Sequence, residues 1–421
     1  MIKKSNFATI IAILLMAIVF LAMTSCGSSQ ENKSPYNQNQ DSIGDTTNNT
    51  SGDVSSPKTD DTQNNPGNKT VIKRDLPVIP ATRVEVKLDT QFVSAMAILP
   101  QTSITHSENN LDPMLTYSNI GKLAKINGIK KGGIPKDKQF LLSYCPSVFF
   151  NLSSKPLNQI EDVSNWYWTA THTSTGSSWL AGDLALDTIL MPSIKDLRYE
   201  KQLYPGTGLS VYIQTTDGMF PKYGKTIVPL GRDLFYFNTT LTDPVLANDT
   251  FRNLNIEKTL GLLGKSPIKN LLSLCGDPEQ AILTSPRKRA SGILSTVPEQ
   301  MKKDFSETLV NIKDLERHPG LVSVAVCYDR TLDRPLRFVF GYESKEQLED
   351  DFPRLASIWG KVGKGNLDWT KMISLTDTFF SKSLTCGIVE CKVDKNIPPY
   401  SIINSFHMMI QGGYMPELWL R

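Results

Sequence analysis

The stretch Trp166 to Ser174, WYWTATHTS, passes through Thr175-Gly176 into SSWLAGDL. Alternating side chains, a small flexible pair and a second alternating run predict a β-hairpin. On its first strand Trp166, Trp168, Ala170 and His172 fall in phase on one face. Tyr167, Thr169, Thr171 and Thr173 take the other, and Trp179 lies across the turn.

The pattern continues outward on both sides. After the hairpin come a helical stretch around Asp187 to Lys201, a strand GLSVYIQ (Gly208 to Gln214), and KTIVPL turning at Gly231-Arg232 into DLFYFN. A helix follows from about Asp243 to Leu263, with Val245, Leu246, Leu254 and Leu260 as its apolar positions. A second run begins at VSVAVCY (Val322 to Tyr328), which pairs across a turn holding Asp333 and Pro335 with LRFVFGY (Leu336 to Tyr342). Ser344 and Gln347 have capping-box spacing ahead of a helix whose Leu348, Phe352, Leu355 and Trp359 lie along one side. A strand LTCGIVECKV and a terminal helix, Ser401 to Ile410, stopped at Gly412-Gly413, complete it. Asp304 to Leu315 reads as one more helix, broken at His318-Pro319-Gly320. Both runs go hairpin, helix, strand, helix. The expected fold class is therefore α+β, with two modules of antiparallel sheet and helices packed on one face, 83–290 and 291–421.

The N-terminal region has a different character. Lys3 and Lys4 precede the apolar run Phe7 to Met23, and Met23, Thr24, Ser25 and Cys26 follow in that order. This resembles the signal peptide of bacterial lipoproteins, with Met where those proteins usually carry Leu. The resemblance covers the first 30 residues or so. It implies cleavage between Ser25 and Cys26, so that 1–25 is a signal peptide, and it implies acylation of the Cys26 thiol, with palmitate among the added lipids. An uncleaved anchor is the alternative, since the run is about long enough to span a bilayer. In either case the lysines hold the N-terminus inside, which puts the body on the extracytoplasmic face of the cell membrane. Gly27 to Lys73 is Asn, Gln, Ser, Thr, Asp and Pro with almost no aliphatic residue, a composition that cannot offset its ordering entropy. Residues 26–82 are thus expected to be a lipidated Cys26 and a disordered linker with a reach of roughly 40 Å.

The chemistry of the body is read mostly from absences. No G-x-S-x-G, H-E-x-x-H, C-x-x-C, EF-hand loop or G-x-G-x-x-G after a strand occurs. GLLGKS (Gly261 to Ser266) lacks the first glycine of a phosphate loop and falls inside a helical pattern, and Gly360 to Gly365 reads as a helix exit. No catalytic residue, metal site or cofactor is assigned. A net charge of +3 leaves no field for nucleic acid, and Arg287-Lys288-Arg289 reads as a solvated loop. His106, His318 and His407 are scattered and read as surface or structural. Besides Cys26 there are Cys145, Cys275, Cys327, Cys386 and Cys391, an odd number, mostly within apolar strings. They are expected to be small buried packing residues, with Cys386 and Cys391 on opposite faces of one strand.

What remains is the aromatic strand. Trp166, Trp168, His172 and Trp179 are the candidate ligand-binding residues, because flat rings stack on sugar faces while an imidazole and hydroxyls supply hydrogen bonds. The competing reading is that this face is the helix-covered inside of a sheet. Three functional classes follow. The leading one is a non-enzymatic lipid-anchored protein that binds an envelope partner, similar in general layout to surface lipoproteins of unassigned function. The second is a small-ligand or saccharide binder built on the aromatic strand. The third is an extracellular enzyme whose site has no local motif.

Overall fold

The computed structural model describes residues 80, 87–105, 113–128, 166–172, 175–183, 199–204, 206–214, 226–231, 233–238, 245–255, 261–285, 320–359, 373–397, 402–403 and 406–407. All belong to the compact unit Ile72–Arg421. Cys26, the linker to residue 79, Cys145, His106, His318, the 287–289 cluster, the 304–315 helix, the 360–365 glycines and most of the 401–410 helix lie outside the described residues.

In chain order the elements are α1 (Gln91–Ile98), β1 (Met114–Ser118), α2 (Ile120–Ile126), β2 (Trp166–His172), β3 (Ser177–Gly182), β4 (Tyr199–Leu203), β5 (Ser210–Gln214), β6 (Thr226–Pro229) and β7 (Leu234–Asn238). There follow α3 (Val245–Asn255), α4 (Ser266–Cys275), β8 (Gln280–Thr284), β9 (Leu321–Tyr328), β10 (Leu336–Tyr342), α5 (Lys345–Trp359), β11 (Ile373–Ser381) and β12 (Cys386–Val393). The α+β class holds. All twelve strands form one sheet in the order β11-β12-β10-β9-β8-β1-β2-β3-β7-β6-β5-β4, and every neighbouring pair is antiparallel.

Local chemistry explains where the helices begin and end. Thr90 Oγ1 accepts the Val93 amide at 3.2 Å and opens α1, and Asn119 Oδ1 accepts the Lys122 amide at 2.9 Å and opens α2. Pro267 stands in the first turn of α4, where its missing N–H costs nothing. Gly276, at φ 73°, ends that helix in a conformation other residues resist. The Ser344 hydroxyl accepts the Gln347 amide at 3.2 Å and caps α5, as the spacing suggests. Two expectations give way. Residues 199–201 are strand, not the end of a helix, and the expected 243–263 helix is described over Val245–Asn255, while Leu262 and Leu263 belong to a 3-10 turn.

The register lines side chains up in rows across the sheet. One row runs Asp377, Glu390, Arg337, Cys327, Ala281, Tyr117, Ala170, Trp179, Tyr236 and Val228, from β11 to β6. From Cys327 onward this row belongs to a cluster covered by Phe92 and Met96 of α1, Ala247 of α3 and Leu271, Leu274 and Cys275 of α4. The opposite face of the C-terminal strands carries Val326, Phe338, Phe340 and Val389 under Leu348, Phe352 and Leu355 of α5. Helices therefore cover both faces of the sheet here. The reason is visible in the strands: β9 and β10 are almost wholly buried, with apolar side chains on each side, and each side needs a cover.

Candidate functional site

The aromatic hairpin forms as the sequence suggests, with Gly176 at φ 63° in the turn between β2 and β3. The register slips between Trp166 and Trp168, so Tyr167 is an extra residue on β2. It stands 42% exposed. This bulge breaks the simple alternation: Trp168 joins the helix-covered cluster with Trp179, and Trp166, though buried, is not part of it.

The four candidate residues lie inside the protein, with Trp166 3%, Trp168 6%, His172 1% and Trp179 0% exposed. Trp179 meets Tyr236 edge to face at 5.5 Å between centroids, and its indole N–H donates to Thr250 Oγ1 of α3 at 3.0 Å. Tyr117 lies 4.9 Å from Phe92 and 6.3 Å from Trp168. The rings are packed as a core, and they present no open flat face to a ligand.

His172 anchors a polar network at the turn end of the same face. Its Nδ1 is 2.7 Å from Thr175 Oγ1, which donates to Ser177 Oγ at 2.8 Å. Ser177 Oγ is in turn 2.8 Å from the Tyr236 hydroxyl, and Asn238 Nδ2 donates to both, at 3.0 and 3.1 Å. Ser177 pairs directly with His172 and with Asn238, so three neighbouring strands bring these polar groups together. Burial lowers the His172 pKa to about 4, against a hydrogen bond to the Ser103 backbone that favours the charged form. The imidazole is therefore a neutral hydrogen-bonding group at neutral pH. Such a buried, partnered network specifies one packing of the strand ends.

A second constellation, absent from the sequence reading, ties β8 to β9. Glu279, 0% exposed, accepts from Arg330 Nε at 3.0 and 2.8 Å and from the Arg330 amide at 2.9 Å. Burial raises its pKa while the guanidinium beside it pulls the other way. Nearby, Lys122 Nζ of α2 reaches Asp329 Oδ2 at 2.7 Å and donates to the Asp277 carbonyl at 2.5 Å. On the far side of β9, Arg337 bonds Glu390 at 2.7 Å and caps α4 through the Leu274 carbonyl at 2.6 Å, and Arg334 pairs with both Glu390 and Asp377. These residues were legible only as scattered charges.

The cysteines bring a correction. Cys275 and Cys327 form a disulfide, with Cα atoms 5.8 Å apart, where packing thiols were expected. Cys386 and Cys391 are free, buried, and in the two opposite clusters, as their spacing requires. Among the described residues no group of three or more His, Cys, Asp or Glu side chains is gathered to hold a metal, and no helix is long and apolar enough to cross a membrane.

No family model matches the chain. No curated protein matches it. Among solved structures, crystal form I of TP0453 aligns over 73% of this chain and 96% of its own, with 10% identity and a TM-score of 0.32. At that score the likeness carries no argument about fold or activity.

Proposed function

We propose that the chain is an extracytoplasmic protein, held to the cell membrane by lipid on Cys26, whose body serves a non-enzymatic binding or envelope role. The observation that supports the location is the Cys275–Cys327 disulfide, since such bonds persist in oxidising compartments and are rare where thiols are kept reduced. It is independent of the N-terminal order Lys3-Lys4, apolar run, Cys26, and agrees with it. The binding role follows from a body whose most distinctive side chains are committed to packing, which leaves its outer surface and its tether as the working parts. Metabolic labelling with radioactive palmitate tests the anchor. The intact protein takes up label and stays with membranes, and Cys26→Ala takes up none. Label retained on the alanine variant would overturn the proposal. Crosslinking in intact cells and recovery of the full chain tests the role: an envelope component recovered in fixed stoichiometry supports it, and its absence removes it.

A further inference from the structure

The strands β1 to β8 come from residues before 285 and β9 to β12 from residues after 320, and among the described residues the two sets of strands pair only at the β8–β9 ladder. That ladder is short, running from Gln280↔Tyr328 to Thr284↔Val324. No tight turn sets its register, because β8 ends at Thr284 and β9 begins at Leu321, a connection far beyond the two to five residues or so of a hairpin loop. The seam is fastened from other elements instead. At one end Glu279 holds Arg330, and the Glu279 amide donates to the Tyr328 carbonyl at 2.9 Å. Above it α4, which precedes β8 in the chain, lies across the strands that follow, with Leu271 and Leu274 in one cluster with Ala325, Val339 and Ile388.

The disulfide sits at this crossing. Cys275 is the last residue of α4, and Cys327 is the residue of β9 that faces Ala281 of β8. One covalent bond therefore joins helix to strand, while the chain between them turns through Gly276 into the partner strand. The free thiols cannot exchange into it easily. Cys391 is on the other face, and Cys386 pairs with Gly341, well along β10 from the Arg337 that faces Cys327. Burial pushes both thiols up, that of Cys391 to about 12, so neither is a thiolate at neutral pH.

We propose that Cys275–Cys327 is a redox clasp on the β8–β9 seam, and that its reduction by a dithiol frees the β9–β12 block to open against β1–β8 with α4 lifting from β9. In the step itself a thiolate of the dithiol attacks one sulfur, the Cys275–Cys327 bond breaks and a mixed disulfide forms. The second thiol of the reductant then closes its own disulfide, so two electrons pass to the protein and two protons complete its thiols. Both half-cystines are buried, 4% and 3% exposed, so reduction proceeds through the same opening that it then favours.

The test is hydrogen exchange read by mass spectrometry on the full chain at neutral pH, before and after treatment with dithiothreitol, with thiols counted by alkylation. Two additional thiols are expected, and peptides covering β8 and β9 should exchange at least about tenfold faster. Peptides covering β2, β3, β6, β7, β10 and β12 should be unchanged. The Cys275→Ala/Cys327→Ala variant should show the same pattern without reductant. Unchanged exchange at β8 and β9 after two thiols have appeared overturns the proposal. So does acceleration spread evenly over all strands, which would make the bond a condition for folding and not a clasp. Reduction of the already folded chain keeps the test decisive if the double variant does not fold.

Discussion

His172 is a base kept neutral inside a protein, and that has a measurable sign. Its pKa falls from 6.5 to about 4 on burial. Below about pH 6.5 an unfolded chain takes up a proton that the folded chain refuses until about pH 4, so stability is intact above this window and declines as pH drops through it. The shift corresponds to roughly 3 kcal/mol. Urea denaturation at neutral and mildly acidic pH should show His172→Gln losing less between the two conditions than the parent chain. Equal losses would sink the assignment. His407, whose pKa burial also lowers, acts in the same direction in both proteins and drops out of the difference. Glu279 gives the complementary case. Arg330→Ala leaves a fully buried carboxylate with only a backbone donor, at a cost of about 3 kcal/mol in denaturant titration at pH 7. Replacing Glu279 and Arg330 together by leucine should recover most of it, because two apolar side chains carry no unpaired charge. A double variant as unstable as the single one would contradict this.

At the scale of elements, the way α5 lies on the sheet depends on a single missing side chain. A Cβ on Gly387 of β12 would run into the ring of Phe352, which itself meets Phe340 at 5.9 Å and Phe380 at 5.5 Å between centroids. Gly387→Ala should therefore destabilise the protein by about 1–3 kcal/mol, as overpacking does, and thermal denaturation would read it. Phe352→Leu in the same background should return part of the loss, and no return would mean that the clash lies elsewhere. Elements were legible where period and turn chemistry agreed. The hairpins β2–β3, β6–β7 and β9–β10 each have alternation or an apolar run broken by a turn, and they stand where that pattern puts them. β1 and β8 were not legible. MLTYS and QAILT are short, and β8 is buried along its whole length, so neither carries the polar alternation that distinguishes a strand from any other apolar run. Yet they join the two halves.

For the whole molecule, one continuous sheet has a thermodynamic consequence. The cluster beneath α1, α3 and α4 includes Val211 and Val228 at one end and Val339 and Ile388 at the other. With the disulfide intact, the near-ultraviolet and far-ultraviolet dichroism of the body should fall in one coincident urea transition. Two separated transitions would show that the halves fold alone. The sequence divides the body at 290/291, and this interval lies in the connection between β8 and β9, across which the sheet runs without a break. Antiparallel strands from distant parts of a chain can pair whenever their free edges meet, and composition does not record which edges do.

By itself, the amino-acid order determined the α+β class, the hairpins β2–β3, β6–β7 and β9–β10, the Ser344 cap of α5 and the opposed faces of Cys386 and Cys391, because each of these rests on neighbours a few residues apart. Only the tertiary structure decided that Trp168 and Trp179 lie under helices, that Glu279 meets Arg330, and that Cys275 is bonded to Cys327. Those contacts join residues from about 50 to more than 70 positions apart, and which of many such pairs forms is settled by the packing of the whole sheet.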